Sequence, residues 1–276
     1  MHPAAPAVRE VMLDVCKTDK LVSVFLSSGV DSNAVLMAFI ENGIKPVVTS
    51  FCLDGYPSTD FRSAQDTAKK LELEFLPVFL PTDLDDLIDD IKFLIKTFGL
   101  KKKTEIETFW ACYKAIEQAH LYGIEVIANG LGAGALFGDG RKGAIHGAED
   151  GDNPTWLEEE RVTKFQNPDY AQFRSWEEAL TLFNMSQINP YRDERMADAL
   201  KGYGYNSCNK PIQKAPLRDA FPEMNKLKIK KHTNLQLGDS GIAELFEKLL
   251  DHPINTTGAL SVIGIYNSIA KELQNA

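Results

Sequence analysis

What this sequence has little of narrows it first. Its 4 cysteines, Cys16, Cys52, Cys112 and Cys208, stand far apart and form no CxxC pair. That excludes a zinc cluster and a disulfide framework, and leaves buried or idle thiols in a reducing compartment. No apolar run is long enough to cross a bilayer, and no basic stretch at the N-terminus leads into an apolar core and a cleavage site. A soluble, cytoplasmic protein without a membrane partner is expected. Positive charge is also short: 30 Lys and Arg face 39 Asp and Glu, a net charge of -9 with the acids spread over many segments. A surface that coats nucleic acid is therefore not expected. Internal repeats and low-complexity tracts are missing as well.

What is present is a chain of 276 residues, 44% apolar, enough to build a sizeable core. Apolar runs over residues 21–25, 46–53, 74–80 and 124–128 have the length and Val/Phe content of strands. Between them lie helical spacings: Val35, Leu36 and Phe39; Phe61, Ala64, Ala68 and Leu71; Leu87, Ile88, Ile91, Leu94 and Ile95; then residues 104–122. Thr82 is read as the N-cap of the third of these. The alternation predicts an α/β fold, a parallel sheet with helices on both faces and a ligand crevice at the carboxyl ends of its strands. Residues 130–152 are crowded with Gly, Asp and small polar residues and are expected to form a functional or mobile loop. From about residue 154 the pattern is mainly helical, around 176–183, 194–200, 213–221 and 242–250. The expected organisation is therefore an α/β layer over residues 1–152 and a helical C-terminal lobe over 153–276, packed as one unit.

The most informative segment is Leu26-Ser27-Ser28-Gly29-Val30-Asp31-Ser32, which follows the first strand and opens the first inter-strand helix. Small residues at such a junction let an anion approach backbone amides at the positive end of the helix dipole. The plain alternative is a strand-to-helix turn in which Ser caps and Gly gives freedom. An ordinary P-loop is excluded, because no Lys stands at the helix start.

The segment resembles the SGGxDS signature of the N-type ATP pyrophosphatases, the PP-loop enzymes, with Ser28 in place of the first glycine. Further segments in the same order resemble the synthetase domain of the asparagine synthetases and their relatives, the β-lactam and carbapenam synthetases and the lasso-peptide cyclases. Asn129-Gly130-Leu131-Gly132-Ala133-Gly134-Ala135-Leu136-Phe137-Gly138 keeps the glycines and the Leu-Phe-Gly end of GEGxDELFGG. Asn189-Pro190-Tyr191-Arg192-Asp193 resembles PFLDxxL, and Lys214-Ala215-Pro216-Leu217-Arg218-Asp219-Ala220-Phe221 resembles KxxLRxAF, followed by the basic pair Lys230-Lys231. The likeness covers about residues 20–235.

That resemblance implies an ATP-dependent ligase that adenylates a carboxylate, releases pyrophosphate and passes the acyl group to a nitrogen nucleophile. ATP and Mg²⁺ are the implied cofactors, and a small-molecule or peptide carboxylate is the implied substrate. Ser27, Ser28, Gly29, Val30, Asp31 and Ser32 are expected to hold the phosphates, with Gly130 and Gly132 facing them and Ser50 to Leu53 offering backbone groups to the adenine. Asp31 is the expected Mg²⁺ ligand, and Asp139 is a candidate second one. Lys214 is expected to meet charge at the reacting centre, supported by Arg218; spacing alone would make Lys214 a solvated helix-face residue. The acids of the family's Gly-rich loop are replaced by Leu131, Gly134 and Ala135. No amide-transfer domain fits before residue 21, so free ammonia, an amine substrate or a separate glutaminase is expected to supply nitrogen. Two other readings stand beside this one: a PP-loop enzyme adenylating a nucleic-acid base for sulfur insertion, and a degenerate nucleotide-binding protein. Lys101, Lys102 and Lys103 are expected to end a helix in solvent, Glu158 to Glu160 to form an exposed helix start, and His146 to lie on the surface.

Overall fold

The computed structural model describes residues 1–138, 140–149, 151–230, 235 and 238–275. In chain order the helices are α1 (Ala5–Val15), α2 (Val30–Glu41), α3 (Thr59–Lys70), α4 (Leu84–Phe98), α5 (Lys103–Tyr122), α6 (Ala133–Phe137), α7 (Arg141–Glu149), α8 (Thr155–Gln166), α9 (Phe173–Leu182), α10 (Glu194–Ala199), α11 (Tyr205–Asn209), α12 (Ala215–Ala220), α13 (Ile242–Glu247) and α14 (Val262–Asn275). The strands are β1 (Val22–Phe25), β2 (Val47–Leu53), β3 (Phe75–Leu80), β4 (Val126–Ala128) and β5 (Ser186–Ile188). They form a five-stranded sheet in the order β3-β2-β1-β4-β5, with every neighbouring pair parallel.

The sheet is buried on both faces, which explains why its strands are near-continuous apolar runs. Alternate residues enter different cores: Val48, Val126 and Ala128 join α1, α2, α3 and α12 on one side, whereas Val47 and Ile127 join α4, α5, α9 and α14 on the other. Successive strands step from β1 outward to β3, and the chain then crosses back to place β4 on the far side of β1. That reversal opens a crevice between the carboxyl ends of β1 and β4.

Four local expectations need correction. Asp83, not Thr82, caps α4; its carboxylate accepts from the amides of Asp85 and Asp86 at 2.9 and 3.2 Å, so the more acidic neighbour wins the cap. Lys101–Lys103 do not end a helix. α4 stops at the left-handed Gly99, and Lys103 begins α5, reaching down to the buried carboxylate of Glu107 at 2.9 Å. The segment after Gly130 is not a long loop, because α6 and α7 occupy most of it; Ala133, Ala135, Leu136 and Phe137 are buried, which the small-residue composition had concealed. Glu160 turns inward from α8 to meet Lys142 and Lys164 instead of standing in solvent. Strand β5 lies between the helical patterns of the C-terminal half and was not anticipated; three residues are too few to show a period.

Candidate active site

Strand β1 ends at Phe25, and the next residues fold into a loop braced by its own polar groups. The Ser27 amide donates to Ser32 Oγ at 3.2 Å, the Gly29 amide donates to Ser27 Oγ at 3.1 Å, and the two hydroxyls lie 3.2 Å apart. Buried Asn33, which the sequence reading passed over, donates its side-chain amide to the carbonyls of Ser27 and Gly29 at 3.0 and 2.7 Å. Gly29 is the N-cap of α2 and provides no side-chain cap, so the dipole end of α2 faces the crevice with hydroxyls around it. Its backbone is extended, at φ -77° and ψ 156°. What the glycine supplies there is space, since a Cβ would sit 3.2 Å from Ser27 Oγ.

Gly130, at the end of β4, is needed for a different reason. A Cβ on it would stand 2.8 Å from Asp31 Cβ and 3.1 Å from both the Asp31 carbonyl carbon and the Ser32 amide nitrogen. The two loops can meet only if this residue has no side chain. Gly130→Ala is expected to cost about 1–3 kcal/mol, because backbone cannot yield as a flexible side chain does. Urea unfolding measures this; an unchanged midpoint would contradict the close approach. Gly132 is left-handed, with φ 89°, and a Cβ there would meet Phe173 at 2.8 Å. Its part is packing under α9 next to the crevice.

Two further elements close on Asp31. Tyr191, fully buried just after β5, donates its hydroxyl to the Asp31 carbonyl at 2.9 Å; burial pushes this phenol well above its ordinary pKa, keeping it a neutral donor. Asn189 fixes that turn by accepting from the Tyr191 amide and donating to the Leu131 carbonyl at 2.9 Å. The decisive approach comes from α12. Lys214 is 1% exposed, and its Nζ lies 2.7 and 2.6 Å from the two carboxylate oxygens of Asp31. The ammonium also stands 5.9 Å from the ring centre of Phe137, in the Leu-Phe-Gly end of the Gly-rich element. Lys214 takes a left-handed backbone, φ 57° and ψ 44°, which an L residue seldom adopts and which tertiary packing must hold in place.

Residues 7–237 match the family model for asparagine synthase. The chain belongs to the asparagine synthase family. Comparison with curated proteins gives no match. The family implies an ATP-using synthetase of ligase type, and its matched span takes in Asp31, Gly130, Tyr191 and Lys214, the residues that converge in this structure.

Other residues of this asparagine synthase-family chain are less closely drawn in. Arg218 lies one turn beyond Lys214 and donates Nε to the Gln213 carbonyl at 3.0 Å; desolvation lowers its pKa, opposed by the charge of Asp31. Ser50 and Leu53 are buried in β2. The Leu26 amide donates to the Thr49 carbonyl at 2.9 Å, so Thr49 turns its main-chain groups toward β1, and Phe51, two residues on, faces the side where β1 has ended. Asp139, Asp150 and Lys231 lie outside the described residues. Asp193 caps α10 and pairs with Arg195. His146 stacks on Trp156 with ring centres 4.4 Å apart. Two surface hollows, one beside Lys101 and Arg174 and one beside Arg62 and Phe79, include none of the converging residues. Among the described residues no helix is long and apolar enough to cross a membrane.

Mg²⁺ takes hard oxygen ligands, commonly one or two carboxylates plus phosphate oxygens, and Asp31 presents a carboxylate 20% exposed at the loop. Among the described residues no three His, Cys, Asp or Glu side chains form a metal cage. A metal shared between one carboxylate and a phosphate chain fits that arrangement. ATP phosphates fit the dipole end of α2 and the hydroxyls of Ser27 and Ser32.

Proposed function

We propose that this chain is an AMP- and pyrophosphate-forming amide ligase that adenylates a substrate carboxylate and delivers the acyl group to a nitrogen nucleophile. The observation that carries the proposal is the buried Lys214 ammonium against Asp31 at the phosphate loop. A carboxylate oxygen attacks the α-phosphorus of ATP, the bond to the β-phosphate bridging oxygen breaks, and pyrophosphate leaves with the electron pair. A nitrogen lone pair then attacks the acyl carbon, AMP departs, and a base takes the surplus amine proton. Lys214 supplies a desolvated positive charge where the first step gathers negative charge. Ser27, Ser32 and the start of α2 hold the phosphates. Mg²⁺, when bound, shields them, with Asp31 as its protein ligand. The Phe51 main chain suits the adenine edge.

The reaction is not the formation of asparagine from aspartate and free ammonia. Where the family loop carries acids, this chain has Leu131, Gly134 and Ala135, and the last is buried in α6. These side chains neither hold an ammonium nor take its proton. The substrate is read as a small-molecule or peptide carboxylate, with a separate glutaminase as one nitrogen source and the cytoplasm as the compartment. Sulfur insertion is disfavoured because it needs a reactive thiolate, and burial pushes Cys16 and Cys112 up to about 12, Cys208 to about 11, and Cys52 upward.

The experiment is a pyrophosphate-release assay with candidate carboxylates and amines, with and without RNA. Release that depends on a carboxylate and yields AMP plus an amide is expected, whereas release that requires RNA would replace this reading with base adenylation. Aspartate, ammonium, ATP and Mg²⁺ together are expected to give no asparagine. Robust formation of asparagine and AMP would make this a plain ammonia-dependent asparagine synthetase.

A further inference from the structure

Ser28 stands where the PP-loop signature has its first glycine, and nothing in phosphate binding alone explains its surroundings. It is 3% exposed. Its amide donates to Asp60 Oδ1 at 3.1 Å, and its hydroxyl donates to the same oxygen. Its carbonyl accepts from the Lys230 amide at 3.0 Å. An amide committed to a neighbouring carboxylate is not directed at a phosphate, so Ser28 serves the loop's shape.

Asp60 sits in the first turn of α3, directly after the β2 end where Phe51 lies. Its neighbour Thr59 donates its amide to Asp239 at 2.8 Å, and its hydroxyl to the same oxygen. Asp239 lies beyond the span that matches the family. Two consecutive residues thus tie the phosphate loop to α3 and α3 to the chain's C-terminal segment.

We propose that Asp60 is a positioning residue for the phosphate loop: as an acceptor for both Ser28 donors it holds the backbone so that Ser27, Ser32 and the start of α2 face the nucleotide. This rests on the reading of the loop as the Mg-ATP site. Acceptance of the two bonds is the useful property of Asp60. Its negative charge works the other way, since it repels the polyphosphate that the loop receives. The two effects separate by substitution. Asparagine keeps a carbonyl oxygen of the same reach and loses the charge; alanine loses both.

The test is calorimetric titration of the full chain with Mg²⁺ and a non-hydrolysable ATP analogue, followed by steady-state kinetics. Asp60→Ala is expected to weaken nucleotide binding by about tenfold to a hundredfold, the worth of two hydrogen bonds to a charged acceptor, and to raise KM for ATP more than it lowers kcat. Asp60→Asn is expected to bind at least as tightly as wild type. In the absence of nucleotide, the Ser28 amide is expected to exchange with solvent faster in Asp60→Ala but not in Asp60→Asn. If Asp60→Ala fails to fold, Asp60→Ser takes its place, because serine suits a helix start and is too short to hold Ser28. Wild-type affinity in the alanine or serine variant overturns the proposal. So does equal weakening in the alanine and asparagine variants, which would assign Asp60 a role through its charge. Failure of the wild type itself to bind the analogue would reject the ATP reading and this inference with it, a result distinct from any difference among variants.

Discussion

Replacing Lys214 with methionine is expected to lower turnover by about 10²–10³ while changing Mg-ATP affinity far less, by analogy with other preorganised charge-stabilising donors. Lys214 is 1% exposed, so water neither screens its charge nor substitutes for it once it is gone. A charge held at the loop before reaction costs little reorganisation, and in the proposed reaction it would stabilise the state in which pyrophosphate departs more than the ground state. Methionine retains length and apolar packing against Phe137, so the effect isolates the charge. Asp31 loses an ionic contact, but its side chain keeps 20% exposure and borders the crevice, where solvent is available. The fold is therefore expected to survive. Single-turnover pyrophosphate release compared with calorimetric affinity separates the two effects. A variant with wild-type turnover would show that the buried pair serves stability alone.

Asp31→Asn is expected to do more damage, in two measurements at once. Binding of Mg-ATP falls because the hard anionic ligand at the loop becomes a neutral amide. Stability falls as well, because Lys214 is left with its charge inside the protein and without this carboxylate. Removing one partner of a fully buried pair costs about 3–5 kcal/mol, and the partial exposure of Asp31 reduces that to roughly half. In a chain of this size each kcal/mol moves Tm by about 2–4 °C. The double variant Asp31→Asn with Lys214→Met is expected to recover much of the stability and none of the activity, because the buried charge that faced Asp31 is gone. An Asp31→Asn protein with unchanged Mg-ATP affinity would remove Asp31 from the metal role. Unchanged Tm would mean that other groups satisfy Lys214.

Much of this site was visible in local signals. The loop after β1 is seven consecutive residues flanked by a strand and a helix, and both the small side chains and the apolar periods lie within a few turns of one another. The all-parallel sheet followed from the alternation of strands and helices. Short-range reasoning failed where neighbours compete or where the period is too brief: Asp83 displaced Thr82 as a cap, Lys103 started a helix instead of ending one, and three-residue β5 had no pattern to detect. Asp60 gave no sign of its contact with Ser28, because an acid in a first helical turn already has a sufficient local explanation in the dipole.

Residue order alone established the α/β class, the loop after β1, and the family frame running from Ser27 to Phe221. It named Gly130 without its reason and Lys214 without its burial. Those depend on packing across the chain: α12 docks on α1 and α2, carrying Lys214 to a carboxylate 183 residues away, and β4 lies beside β1 so that Gly130 meets Asp31 and Ser32. Desolvation is the physical reason for the difference. A lysine in a short helix is solvated unless other elements cover it, and only the assembled fold removes the water and supplies the counter-charge.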